Sequence, residues 1–274
     1  MSLEEVYCAA NAEQPPHAVH RLFDYRQLIA TRPYASRGNK VLRCRRCLLP
    51  QTVCTCAWRQ PCESNAAFAL VMYDTEVLKP SNSGRLIADL IPDTHAFLWS
   101  RTAPDAGLLT LLADPQYQAY LVFPAEYALA EQQVVEQLLP TELNSSAGEE
   151  GTGTCEQAKK PLFILLDGCW REAVKMFRKS PYLQTIPMLS FSPENIAHYR
   201  LRKGQRDFQL GTAEVAVLAL QAFGETENAA ALDAWFNLFV ECTLWNRSND
   251  KITSMEKIAE LRDIVAVGNA ARQK

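Results

Sequence analysis

Residues 163–179, FILLDGCWREAVKMFRK, constrain the fold more than any other stretch of this chain. Four large apolar residues, Phe163 to Leu166, run into an acid, Asp167. Gly168 and Cys169 follow. Trp170, Ala173, Val174 and Phe177 then recur at helical spacing, with Arg171, Glu172, Lys175, Arg178 and Lys179 on the opposite face. An apolar run without polar alternation, a turn and an amphipathic pattern read as a strand buried on both faces that feeds a helix. That is the unit of a parallel α/β sheet, where ligands sit at the carboxyl ends of strands. Asp167 stands at such an end, with Trp170 in the first helical turn. Two readings of Asp167 stay open on this stretch alone, a helix cap and a ligand-site acid.

The same rhythm extends on both sides. Residues 66–73 (AAFALVMY), 95–99 (HAFLW) and 118–123 (QAYLVF) read as strands. Residues 79–85 (KPSNSGR) form a turn that opens a helix through Leu86, Ile87, Leu90 and Ile91, with Ser81 or Asn82 as its cap. Phe123-Pro124-Ala125-Glu126 ends the third strand, and a helix is expected from there to residue 139. Residues 141–160, which include SSAGEEGTGT, read as a mobile surface loop. Residues 185–191 (TIPMLSF) are a fifth strand candidate, and 198–208 a basic loop. Gly211-Thr212-Ala213-Glu214 opens a helix that is apolar nearly all round, hence buried. Two helices are expected between residues 228 and 272, and one between 17 and 30. Residues 1–16 read as a disordered tail.

Four cysteines fall within thirteen residues, Cys44, Cys47, Cys54 and Cys56, as C-x2-C, six residues, then C-x-C. This density suits a tetrahedral zinc ion. The surrounding residues 31–61 have little apolar surface, and ordering each residue costs about 1–2 kcal/mol. A structural zinc contributes roughly 10–16 kcal/mol in small peptides, enough to offset much of that. Cys62 is a substitute ligand, and a thiol redox pair is the competing chemistry. Cys8, Cys155 and Cys242 are isolated. Nine cysteines is an odd total, which argues against a closed disulfide framework.

The chain has 274 residues and 48% hydrophobic composition, enough for a sizeable core. No window approaches roughly eighteen uninterrupted apolar residues, so no membrane span is expected. The acidic, polar start MSLEEVYCAANAEQ lacks a secretory pattern, and a cytoplasmic location follows as the expectation. Net charge is −3, yet the charges are segregated. Arg21, Arg26, Arg32, Arg37, Lys40, Arg43, Arg45, Arg46 and Arg59 face Asp24 alone in their stretch. Arg171, Lys175, Arg178, Lys179, Arg200, Arg202, Lys203 and Arg206 form a second cluster. Such a split builds either a polyanion-binding face or ordinary solvated helix surfaces.

The four-cysteine knuckle, S-N-S-G-R-L-I, F-P-A-E, D-G-C-W with K-M after it, and G-T-A-E before an apolar helix occur here in that order. Their order and spacing, over residues 43 to 245, resemble the DTW-domain proteins, the tRNA-uridine aminocarboxypropyltransferases. The family signature is Asp-x-Thr-Trp. This chain carries Cys169 in place of the threonine, and a thiol is a poorer hydrogen-bond partner than a hydroxyl.

The resemblance implies a SPOUT-related α/β fold, a mostly parallel sheet flanked by helices, in which the chain can be knotted near the cofactor. It implies an N-terminal region with the zinc knuckle over residues 1–62 and a catalytic domain with C-terminal helices over 63–274. The implied activity transfers the 3-amino-3-carboxypropyl group of S-adenosylmethionine to N3 of a tRNA uridine, leaving methylthioadenosine. Asp167 is expected as the base or orienter of N3–H, or as the group that holds the ammonium of the transferred chain. Cofactor contacts are expected from Ser81, Asn82, Gly84, Arg85, Phe123, Pro124, Gly168, Trp170, Thr212 and Glu214. Among them Arg85 is expected to pair the cofactor carboxylate and Trp170 to wall a base. Arg37, Lys40, Arg43, Arg45, Arg46, Arg202, Lys203 and Arg206 are expected to grip tRNA phosphates. The zinc is expected to be structural, and no obligate protein partner is implied. Two other readings compete: a SPOUT-like RNA methyltransferase, marked by S-adenosylhomocysteine as product, and a non-catalytic zinc-containing RNA-binding module.

Overall fold

The computed structural model describes residues 15–34, 41–138, 159–192, 210–245 and 253–272. The N-terminal tail, the loops expected over 141–160 and 198–208, Cys8, Cys155, Arg37, Lys40, Arg202, Lys203 and Arg206 therefore lie outside the described residues, apart from positions 15, 16, 159 and 160 at the segment ends.

Six parallel strands form one sheet: β1 (Ala67–Met72), β2 (Thr94–Leu98), β3 (Tyr117–Val122), β4 (Val134–Val135), β5 (Lys160–Asp167) and β6 (Met188–Leu189). Their order is β2-β1-β5-β3-β6-β4. Two late strands are thus inserted between earlier ones, β5 between β1 and β3, β6 between β3 and β4. The residues that lead into β5 and out of β6, 139–158 and 193–209, lie outside the description.

Why β1 and β5 are central follows from their side chains. Alternate residues must point to opposite faces of a strand. Phe68, Leu70, Met72, Phe163 and Leu165 enter one core, while Ala67, Ala69, Val71, Leu162, Ile164 and Leu166 enter the other. Both faces are apolar, so both must be covered. Helices α3 (Ala106–Leu112) and α4 (Trp170–Arg178) cover the second face. The first face carries α1 (Ala18–Leu28), α2 (Gly84–Leu90), α5 (Thr212–Phe223), α6 (Thr226–Leu244) and α7 (Met255–Arg272), together with the cysteine knuckle. Between α5 and α6 the chain reverses at Gly224 with φ +90°, a left-handed conformation that a Cβ disfavours. No described helix is long and apolar enough to cross a membrane.

Two expectations change. The helix expected from Phe123-Pro124-Ala125-Glu126 to residue 139 is one turn, Ala125–Tyr127, followed by extended chain and β4. Tertiary pairing overrides local helix preference there. The Met188 amide donates to the Gln133 carbonyl and the Ser190 amide to that of Val135. The Gln132 amide donates to the carbonyls of Leu183 and Ile186. The strand expected over 185–191 shrinks to Met188–Leu189, because Pro187 has no amide to offer the ladder.

Candidate active site and metal centre

Parallel register carries Met72 of β1 beside Asp167 of β5, and the Tyr73 amide donates to the Asp167 carbonyl at 2.8 Å. The chain then turns at Gly168 and Cys169 into α4, where the Cys169 amide donates to Glu172 Oε2 at 2.7 Å. Asp167 itself is buried, 2% exposed. Its Oδ2 accepts from Asn82 Nδ2 at 2.7 Å and its Oδ1 from the Thr212 hydroxyl at 2.5 Å. The N-terminus of α2 lies so close that a Cβ on Gly84 would sit 2.5 Å from Asp167 Oδ2. Burial pushes the Asp167 carboxyl up to about 6, assisted by the Glu76 charge and opposed by the bonds from Thr212 and Asn82.

Beside this knot of hydrogen bonds, at the carboxyl ends of β3, β5 and β6, opens a cavity of about 440 Å³. Its walls come from Val122-Phe123-Pro124, Leu165, Leu166, Gly168-Cys169-Trp170, Ala173, Leu189-Ser190-Phe191, Leu210, Thr212 and Val215. The lining is mostly apolar with a few polar groups, as small-molecule sites are. Trp170, 39% exposed, stacks on Phe123 with centroids 5.6 Å apart and planes 9° apart. Tyr127 meets Trp170 edge-on at 5.6 Å and Phe123 at 5.2 Å. Such packing fixes both rings as a flat wall.

The expected cofactor residues divide. Phe123, Pro124, Gly168, Trp170 and Thr212 line the cavity. Ser81, Asn82, Gly84, Arg85 and Glu214 do not. Ser81 is exposed to solvent. Asn82 and Gly84 pack on Asp167 behind the wall. Glu214 Oε2 accepts from the Gly211 amide at 2.7 Å, capping α5. Arg85 is 2% exposed, and its guanidinium donates to the carbonyls of Arg46 (3.2 Å), Val77 (3.1 Å) and Lys79 (3.4 Å). Asp167 is not among the lining residues, and its Oδ1 meets the wall through the Thr212 hydroxyl. Sequence reasoning did not find Ser190, Phe191, Leu210 or Val215. The first two reach the site by strand insertion, which carries no local signal. Cys169 was noticed only as a departure, and it is a lining residue.

The four knuckle cysteines form a cluster that could hold a metal ion. The sulfurs of Cys44, Cys47, Cys54 and Cys56 all lie within 4.8 Å of one another, with Cys44 to Cys56 at 3.6 Å and Cys47 to Cys54 at 3.7 Å. A tetrahedral zinc with bonds of about 2.3 Å requires sulfurs about 3.8 Å apart, so the set fits without rearrangement. The four thiols bias one another's ionisation. Hydrogen bonds from Cys47, Cys54 and Cys56 pull the Cys44 thiol far down, and bonding to that same Cys44 pushes Cys54 and Cys56 up. A divalent cation relieves this by holding all four as thiolates. The turn is closed by Cys44, Leu48 and Leu49: the Leu48 amide donates to the Cys44 carbonyl and the Cys44 amide donates to the Leu49 carbonyl, both at 2.9 Å. Leu48 adopts φ 57° to allow it. Cys62 is not part of the cluster, and its thiol points to the Gln60 carbonyl. Helix α7 clasps the knuckle: Arg262 lies 4.4 Å over the Trp58 ring, and the Asn269 amide donates to the Trp58 carbonyl at 3.0 Å.

A second group, His17, His20 and Asp89, also brings ligand atoms within 4.8 Å. The two imidazoles stack with centroids 3.5 Å apart and planes 20° apart, so their in-plane lone pairs do not converge on one ion. His17 Nε2 lies 3.2 Å from Asp89, whose other oxygen accepts from Trp235 Nε1 at 3.1 Å. This cluster reads as a latch that ties α1 and α6 to α2.

The basic clusters are partly spent on the protein. Arg45 pairs with Asp24 at 3.1 Å, Arg43 donates to the Leu48 carbonyl at 3.0 Å, and Arg26 holds Asp74 with two bonds. Arg171, Lys175 and Arg178 stand exposed on α4, whose Trp170 and Ala173 line the cavity, and Lys179 is exposed at its C-cap. Lys175 donates to the Tyr73 hydroxyl at 3.1 Å.

No solved structure matches the chain. The sequence model of the DTW domain matches residues 41–244, a span that holds the knuckle, the Asp167 turn and every described wall of the cavity. The chain belongs to the DTW-domain family, whose domain is associated with tRNA-modifying enzymes.

Proposed function

We propose that this protein transfers the 3-amino-3-carboxypropyl group of S-adenosylmethionine to N3 of a uridine in tRNA and releases methylthioadenosine. One observation carries the reading. The matched segments converge on an apolar, aromatic-walled cavity at the carboxyl end of the sheet, beside the exposed basic face of α4. When bound, S-adenosylmethionine would supply a sulfonium with three electrophilic carbons and a neutral thioether, methylthioadenosine, as the leaving group.

Positioning therefore selects the product. Phe123 and Trp170 form a wall suited to an adenine or uracil face. Leu166, Ala173 and Val215 supply apolar surface against the methyl group and exclude water. The Thr212 hydroxyl spends its proton on Asp167, so its lone pairs are free to accept the uridine N3–H. The N3 proton passes to the Thr212 oxygen while the Thr212 proton moves to Asp167, whose raised carboxyl accepts it near neutral pH. Asp167 is a positioning residue in this scheme. Arg171, Arg178 and Lys179 contact tRNA phosphates. Zinc on the four cysteines is structural, since four thiolates leave no open coordination position. In this reading residues 1–62 form the metal-bearing RNA-gripping region and 63–274 the catalytic domain.

The test is mass spectrometry of the protein with S-adenosylmethionine and unmodified bulk tRNA. Methylthioadenosine, with a uridine heavier by one aminocarboxypropyl group, supports the reading. S-adenosylhomocysteine with a methylated nucleoside replaces it with a methyltransferase. Neither product, from zinc-loaded protein, leaves a binding module.

A further inference from the structure

The knuckle and the cavity are joined by an unbroken line of hydrogen bonds. Arg46 lies inside the C-x2-C loop, and its carbonyl accepts from Arg85 Nη1 at 3.2 Å. The backbone amide of the same Arg85 donates to Asn82 Oδ1 at 3.2 Å. Asn82 Nδ2 donates to Asp167 at 2.7 Å, and Asp167 accepts from Thr212 on the cavity wall. Arg85, Asn82 and Asp167 are each 2% exposed. Water cannot substitute for a missing member, so each bond depends on its neighbours.

Burying a guanidinium is costly unless its donors are satisfied, and a planar fork can span several carbonyls where an ammonium cannot. Arg85 also reaches the carbonyls of Val77 and Lys79, which fixes the segment leading into α2. A residue used only to fill the core would be apolar. A buried arginine that ties the metal loop to the start of α2 transmits the position of one to the other, as outer-shell partners of metal ligands do.

We propose that Arg85 is a positioning residue that couples the metal knuckle to the Asp167–Thr212 edge of the cavity, so that metal occupancy sets the geometry of the cavity. Coupling is reciprocal: a ligand in the cavity tightens metal binding by the same factor by which metal tightens binding of that ligand. The inference rests on the metal and cavity assignments made above.

The experiment is hydrogen exchange by mass spectrometry on zinc-loaded, full-length protein before and after chelation. Amides of residues 43–56, 168–172 and 211–215 are followed, with 68–71 and 163–165 as the fold control. Zinc removal is expected to accelerate exchange at 168–172 and 211–215 by about tenfold, inside the usual range for coupled sites, while the control stays protected. In Arg85→Lys the knuckle still opens on chelation, but the cavity-edge amides no longer respond. The wild-type arm stands alone where Arg85→Lys fails to fold. The proposal is overturned if chelation opens 43–56 and leaves the cavity edge unchanged. It is also overturned if Arg85→Lys keeps the coupling, or if chelation exposes the whole sheet, since the knuckle would then support the fold without a specific link. Failure to bind or use S-adenosylmethionine would sink the proposed reaction and leave the exchange result standing.

Discussion

Replacing Gly84 with alanine sets two physical effects against each other. Gly84 opens α2 with an ordinary helical backbone, so by propensity alone alanine should stabilise the protein, by about 0.5–1 kcal/mol. The structure reverses that sign. The added Cβ would meet Asp167 Oδ2 at 2.5 Å, Asp167 Cγ at 3.2 Å and Asn82 Oδ1 at 3.5 Å. The first of these is impossible without movement. The carboxylate cannot swing away freely, because Asn82 and Thr212 hold its two oxygens. Overpacking of this kind costs about 1–3 kcal/mol, and a weakened bond to a buried charged group adds about 1 kcal/mol or more. Net destabilisation of about 1–3 kcal/mol follows, a fall in Tm of roughly 2–5 °C for a chain of this size. Thermal unfolding followed by circular dichroism measures it. Transfer activity should fall more steeply than stability, because the carboxylate that moves is the one that orients Thr212. A Gly84→Ala protein with a Tm equal to or above wild type would refute the packing of α2 on Asp167. It would also remove the physical basis for placing that carboxylate behind the cavity.

Three further outcomes are expected. The carboxyl of Asp167 is raised to about 6, above its unfolded value, so the fold favours its protonated form. Its contribution to stability is therefore full below the unfolded value and is lost as pH rises through about 6. Asp167→Asn should flatten the stability–pH profile between about pH 4 and 6 and abolish an acid limb of kcat/KM near pH 6. Cys54→Ser should lower bound zinc well below one ion per chain by elemental analysis. Because structural zinc contributes roughly 10–16 kcal/mol in small peptides, it should also leave residues 43–56 open to proteolysis. Trp170→Ala should weaken S-adenosylmethionine binding by about tenfold in calorimetry, since an aromatic pair is worth about 0.5–1.5 kcal/mol beyond its buried area. Trp170→Phe should recover most of the loss, and equal affinity in all three proteins would show that the wall does not bind the ligand.

Much of the architecture was legible in the residues. Apolar runs without alternation at β1 and β5 demanded a sheet covered on both faces, and helix-period patterns supplied the covers. The cysteine spacing pointed to a metal site, and the structure brings the four sulfurs into a cluster that could hold one ion. Phe123, Gly168, Trp170 and Thr212, read from strand ends and helix starts, line the cavity at the carboxyl end of the sheet. The helix expected after Phe123-Pro124 failed for the opposite reason: β6 needed a partner, and that need lies far away in sequence.

The sequence by itself determined most of the strands and helices, though not β4 or the extent of β6, and which side chains can carry charge, stacking or metal. Only the tertiary structure decided what those side chains face. Asp167, Asn82 and Arg85 read as ligand residues because their chemistry permits it. The insertion of β5 beside β1 turned them inward onto one another and left the cavity to Trp170, Phe123 and Thr212. Local pattern records the period of an element and the polarity of its faces. It does not record which strands become neighbours, and that neighbourhood determines whether a polar group meets a ligand or another part of the chain.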